Sequence, residues 1–215
     1  GRNVGGLKKE TADRKKTGSY FRWRPDKEVF TEIDIPASYF EDVIRRQAVV
    51  NKGITFRFRN QVDGKFEVRE YCYENGITQY LEELAGDDAF TMPAYFEAER
   101  RGRDSDNRPE MKLKITAAFS FSKGLSHVEY YHNSSWLEHG GSPDRAVRLG
   151  FVAAFDKYIR DTGKYNKNES KLIFQDIQDS LLLVTNCFST IASFENQTKK
   201  SVNSKFIQEA MTAFF

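Results

Sequence analysis

The sequence predicts an α+β domain, and three observations carry that reading. Segments whose apolar residues recur at helical spacing are interleaved with segments that alternate apolar and polar residues at period two. One run, residues 181–191, is apolar almost throughout its first half, as in a strand covered on both faces. The chain has 215 residues, 39% hydrophobic and 14% aromatic, which is enough to bury a sizeable core.

Taken in order, residues 1–24 read as a β-hairpin: Asn3 to Leu7, a polar turn, then the β-forming aromatics Tyr20, Phe21 and Trp23, ended by Pro25 and Asp26. Between Pro36 and Gly53, the residues Phe40, Val43, Ile44, Gln47 and Ala48 fall on one helical face, with Pro36 tolerable in the first turn and Gly53 as a left-handed stop. Ile54, Phe56 and Phe58 then alternate with polar residues, Asp63-Gly64 supplies hairpin turn chemistry, and Phe66 to Cys72 runs back. Ile77, Tyr80, Leu81 and Leu84 line a short helix over residues 76–84. Residues 94–99 and 111–121 read as a strand pair, the second with one face in the core and the other, carrying Lys112, Lys114, Thr116 and Ser120, in water. The charged tip between them, 100–109, reads as a solvated loop. A strand over 126–132 leads to a long helix with Ser142 as N-cap and Pro143 at its first position, closed by Gly163. A short helix over 174–179, the apolar strand 181–191 and a terminal helix over 203–215 complete the chain. No internal repeat and no low-complexity segment is present.

Charge and composition exclude several classes. Lys and Arg total 33 against 31 Asp and Glu, so net charge names no partner. Basic residues nevertheless crowd the first segment, at Lys8, Lys9, Arg14, Lys15, Lys16, Arg22 and Arg24, where an edge facing nucleic acid and a solvated hairpin are both open readings. The two cysteines, Cys72 and Cys187, read as buried free thiols of a cytoplasmic protein. There is no membrane-spanning run and no signal peptide, and the start in a charged stretch without Met reads as an excised piece. His127 and His132 lie five apart on a strand, so they face opposite ways and read as structural; no Walker A, nucleophile-elbow or zinc spacing occurs, and no metal site is expected. What remains is the loop Phe194-Glu195-Asn196-Gln197-Thr198-Lys199-Lys200, between a buried strand and a helix, where a lysine can meet an anion as a point charge and a glutamine can orient a phosphate oxygen.

Five motifs in order resemble the ATPase subunits of bacterial type IIA topoisomerases, the family of DNA gyrase B and its topoisomerase IV counterpart. Lys16-Thr17-Gly18-Ser19 through Pro25-Asp26 to Val29-Phe30 is similar to the passage from ATPase domain to transducer. Asn51-Lys52-Gly53-Ile54, Tyr73-Glu74-Asn75-Gly76-Ile77, Gly140-Gly141-Ser142 and Phe194 with Gln197-Thr198-Lys199 follow at family-like spacing. The resemblance implies a mainly antiparallel or mixed sheet backed by helices with a left-handed βαβ crossover. It also implies three parts: residues 1–26 as the last hairpin of an upstream ATPase domain and hinge, 27–203 as the transducer, and 204–215 as a helix leading to the DNA-cleavage core. It implies that Gln197 and Lys199 reach the γ-phosphate of ATP bound by that upstream domain, Lys199 as the catalytic contact, with Mg2+ held there as well. The partners implied are duplex DNA, the ATPase domain of the same chain and the DNA-cleaving subunit. Dimerisation is implied for the full-length protein, and a monomer without its own ATP turnover for this piece.

The chain departs from the family at Asn196, where a glycine is usual, at Ser142 in place of Thr, and at Pro143 in place of a common His. The rival readings are a stand-alone nucleic-acid-binding module built on the basic first segment with Tyr20, Phe21 and Trp23, and a mismatch-repair or chaperone relative of the same ATPase superfamily. Arg45, Arg46, Lys112 and Lys114 are the basic residues expected to meet DNA phosphates.

Overall fold

Residues 37–215 build a five-stranded sheet with helices on both faces, and this unit is separate from the unit Gly1–Pro36. A computed structural model describes residues 5–6, 8–11, 13, 15, 17–191, 194 and 197–215.

In the first unit no described residue is in a strand or helix. The expected hairpin is therefore not seen: Asn3, Val4 and Leu7 lie outside the described residues, and residues 18–23 form no ladder. An isolated two-stranded hairpin is marginal in water, and Tyr20 and Phe21, 72% and 80% exposed, bury too little to hold one. A single turn follows, in which the amides of Val29 and Phe30 donate to the Asp26 carbonyl. The boundary expected at 26/27 falls inside this first unit.

The second unit opens with α1 (Ala37–Val50), which begins directly after Pro36. Strands β1 (Phe56–Val62) and β2 (Lys65–Tyr71) form a separate antiparallel ribbon in register Val62 to Lys65. Its two-residue turn has both Asp63 and Gly64 at positive φ, 49° and 79°, the mirror-image turn whose twist suits adjoining strands. Helix α2 (Ile77–Ala85) follows, then β3 (Ala94–Gly102), β4 (Met111–Phe121), β5 (His127–His132) and the short β6 (Ser135–Trp136). Helices α3 (Ser142–Asp161) and α4 (Phe174–Gln178), strand β7 (Leu181–Ser189) and helix α5 (Lys205–Phe214) complete the unit. Strand order is β3-β4-β7-β5-β6, antiparallel except that β5 and β7 run parallel, joined by a crossover that contains α3 and α4.

Strand β7 is the centre of this arrangement. Leu181, Leu183 and Cys187 face α3, α4 and α5, while Leu182 and Val184 face α1 and α2, all five at 0% exposure. Two helical layers explain the apolar run Leu181 to Val184, which is covered on both faces; beyond it Thr185 and Asn186 are polar yet buried. The same layers correct the reading of β4. On its second face Lys112 and Lys114 are exposed and Thr116 is half-buried, whereas Ala118 and Ser120 lie under the α1/α2 layer at 0% exposure. Strand β3 extends to Gly102, into the expected tip, and Asp104 is not simply solvated. Its Oδ1 accepts from Ser204 Oγ at 2.6 Å and from the Phe206 amide at 3.0 Å, capping α5 from the β3–β4 loop. Helix α5 packs into the core shared with the sheet, through Ile207 and Met211.

Candidate functional site

The Gln197-Thr198-Lys199 loop leaves β7 and returns through Val202, and its geometry is set at that residue. Val202 bridges Phe194 antiparallel and Gly141 parallel, closing a narrow hairpin against the start of α3. The Ser142 amide donates to the Val202 carbonyl at 2.7 Å, and the Ser204 amide donates to Ser142 Oγ at 2.9 Å. One short chain of hydrogen bonds thus links the loop's end to the N-termini of both α3 and α5.

This network moves the helix cap. Gly141, not Ser142, is the N-cap of α3, at φ 79°, and Ser142 is the first helical residue. The reason is contact with the loop: a Cβ on Gly141 would collide with the Val202 carbonyl oxygen, so a glycine is required for the two backbones to approach. The orphan amide of Ser142 is satisfied by Val202 in place of a side-chain cap.

Gln197, Thr198, Lys199 and Lys200 are exposed at the tip; Glu195 and Asn196, including the substituted glycine position, lie outside the described residues. Lys199 has φ 57°, a left-handed conformation uncommon for a side-chain-bearing residue, and its Nζ stands 5.7 Å from the centre of the Phe194 ring. Lys200 turns the other way, to Glu138, and its carbonyl accepts from the His139 amide at 2.9 Å. The two lysines therefore differ: Lys200 is paired on the surface, whereas Lys199 rests over an aromatic face. Below it, Phe194 meets the His132 ring edge to face at 5.2 Å.

The other sequence candidates separate. His127 and His132 do face opposite ways: His127 Nε2 is 3.3 Å from Glu129 Oε1 and from Tyr80 Oη, under α2, and His132 lies beneath the Phe194 loop. Cys187 is buried, but Cys72 is only partly so, with Sγ 3.4 Å from Glu74 Oε1. Among the basic residues expected to meet DNA, Arg46 stacks 3.8 Å over Trp136 and is 3.9 Å from Glu129, which withdraws it from the surface role. Arg45 pairs with Asp42. Lys112 and Lys114 do share a surface, an open groove of about 440 Å³ that Arg101, Phe188 and Thr190 also line, although Lys114 pairs with Glu97 at 3.4 Å. Of the basic first segment, Arg14 and Lys16 lie outside the described residues.

Gln197 and Lys199 offer hydrogen-bond donors, which suits a phosphate oxygen. The Lys199 ammonium has no lone pair to offer Mg2+, which takes oxygen ligands, and among the described residues no three His, Cys, Asp or Glu side chains gather at metal-binding distance. No helix among them is long and apolar enough to cross a membrane.

Solved structures share this architecture. DNA gyrase B from Myxococcus xanthus superposes with a TM-score of 0.67 at 15% identity, over 88% of this chain and 51% of that one. The 43K ATPase domain of Thermus thermophilus gyrase B gives 0.61 at 17% identity, over 88% and 48%. At such identities the likeness is one of fold, the fold these gyrase B structures share. A family model described as DNA gyrase B matches residues 76–215, and the chain belongs to that family. The DNA gyrase B protein of Chlamydia muridarum is 26% identical over 211 residues, which cover 93% of this chain and 26% of that protein, so the chain spans about a quarter of that relative's length.

Proposed function

We propose that this chain is the transducer of an ATP-dependent type II DNA topoisomerase, in which the Gln197-Thr198-Lys199 loop senses nucleotide held by an ATPase domain of the same protein. The observation that carries the reading is the hydrogen-bonded path from the exposed loop through Val202 and Ser142 to the N-termini of α3 and α5. Lys199 supplies a full positive charge to a phosphoryl group as negative charge develops, and Gln197 orients one of its oxygens. A contact made only in the nucleotide-bound state gives the two states different energies, which any switch requires. Because the loop's return strand is bridged to Gly141 and Phe194, its displacement carries α3 and α5 with it as a body.

In this reading the protein works in the cytoplasm on duplex DNA, together with a DNA-cleaving subunit, and dimerises at full length; Lys112, Lys114 and Arg101 are the groove residues that meet phosphates. The 27–203 segment acts as transducer and α5 leads toward the cleavage core. Turnover requires the ATPase domain, so the 215-residue chain by itself hydrolyses no ATP.

The test is DNA-stimulated ATP hydrolysis by the natural full-length protein. Lys199→Ala is expected to lower kcat by at least about tenfold with the thermal midpoint unchanged, as loss of a charge contact to the transferred group requires. Unchanged turnover would reduce the loop to a solvated connector.

A further inference from the structure

His132 is an unexplained polar group: it is completely buried, at 0% exposure, directly beneath the loop. Its Nε2 lies 3.2 Å from Ser189 Oγ and its Nδ1 3.1 Å from Cys187 Sγ. The hydrogens in this cluster can be assigned by elimination. Ser189 Oγ donates to the Ile191 carbonyl at 2.5 Å, so its only hydrogen is spent, and the hydrogen between Ser189 and the imidazole belongs to Nε2. A neutral ring then leaves Nδ1 bare as an acceptor, 3.1 Å from the Cys187 thiol, whose one hydrogen is shared between Nδ1 and the Tyr131 carbonyl at 3.4 Å. Burial favours this state on both sides, pushing the imidazole down to about 4 and the thiol up to about 12.

The cluster sits where β7 ends and the loop begins. Ser189 ties the imidazole to the Ile191 carbonyl, and the imidazole packs edge to face on Phe194, whose ring carries the Lys199 ammonium. We propose that His132 is the positioning residue of the Lys199 loop: a neutral Nε2–H imidazole, locked between Cys187 and Ser189, that fixes the Phe194 ring and through it the ammonium. It touches no nucleotide itself. Its catalytic consequence rests on the ATP-sensing reading above, whereas its hold on the loop does not.

Two measurements on the full-length protein separate these. The first is amide hydrogen exchange. His132→Leu removes both ring hydrogen bonds and is expected to accelerate exchange at Phe194 and residues 197–200 by at least about tenfold, leaving β4 and the first half of β7 unchanged. The second is ATP turnover. His132→Leu is expected to lower kcat by about five- to twentyfold with KM altered less than about twofold, and His132→Gln, whose amide can still donate to Ser189, to restore most of it. In the Lys199→Ala background the same His132→Leu change is expected to cost less than about twofold, because residues acting as a unit are not additive. A purely structural histidine would cost the same factor in both backgrounds, and that result, or unaltered loop exchange, overturns the proposal. Should His132→Leu fail to fold, Ser189→Ala and Phe194→Leu break the same chain at two other links and are read in the same way. If Lys199→Ala leaves turnover unchanged, the ATP-sensing reading falls, while loop exchange still decides the positioning role.

Discussion

Lys199 and His132 show how far a side chain's role depends on what lies under it. By charge and position alone Lys199 and Lys200 are equivalent, two adjacent cations in a connector that only the family resemblance tells apart; folded, Lys200 pairs with Glu138 and Lys199 stands over Phe194. His132 reads from spacing alone as a structural histidine, and no spacing rule could place it under a loop more than 60 positions later in the chain, because parallel pairing of β5 with β7 makes that contact. Its burial also has a measurable consequence. Burial holds the imidazole neutral down to about 4, whereas in the unfolded chain it protonates near 6.5, so the unfolded state takes up the proton first as pH falls. No cost is present above about 6.5; stability is lost between there and about 4, in all on the order of 3 kcal/mol. Urea unfolding at pH 7 and pH 4.5 is therefore expected to show the parent losing roughly 2 to 3 kcal/mol more than His132→Gln over the same interval. Equal losses would mean that the imidazole reaches water.

Helices and strands were legible wherever periodicity acted alone. Spacing located α2, β4 and α3 to within a residue or two, and Asp63-Gly64 identified the ribbon turn because that turn needs positive φ at both positions. Apart from the first segment, where too little apolar surface is buried to hold the expected hairpin, the differences occur where an element's edge is decided by a distant neighbour. Ser142 looks like an N-cap, yet Val202 satisfies its amide and Gly141 takes the cap. Gly141→Ala is accordingly expected to destabilise the protein by about 2 kcal/mol or more, combining a strained positive φ with a collision against Val202 backbone. Denaturant unfolding checks this, and a loss below about 0.5 kcal/mol would show that the bridge at Val202 is not closely packed. The tip at 100–109 was read as solvated for the same reason: Asp104 has no local partner, and its role as a cap appears only when α5 arrives.

Across residues 37–215, one strand separates two cores, and the unit should be sensitive on both sides of it. Leu182→Ala and Leu183→Ala face different helix layers, and each is expected to cost about 2 to 5 kcal/mol. Val68→Ala, on the ribbon and 50% exposed, is expected to cost less than about 1 kcal/mol. Thermal or urea midpoints of the three variants decide the matter; a cheap Leu182→Ala would mean that α1 and α2 do not form a true second layer. Helices α3 and α5 approach so closely that a Cβ on Gly150 would meet the Thr212 carbonyl at 3.2 Å and Phe215, just past the end of α5, at 2.6 Å, a contact that the proposed role as transducer would use. Packed interfaces of that kind move together or not at all.

Local interactions alone account for the α+β class, the order of the elements, the family motifs and the position of the Gln197-Thr198-Lys199 segment between β7 and α5. Each depends on residues within a few positions of one another, where periodicity, turn chemistry and wording are complete in the chain itself. Long-range pairing decided the rest: which face of β4 meets water, which lysine rests on an aromatic ring, where α3 is capped, and that His132 lies beneath the loop. Those outcomes belong to the order β3-β4-β7-β5-β6, which brings the ends of β5 and β7 side by side. Pairing order is set by the summed burial of two helix layers against one sheet, a quantity that no short segment contains.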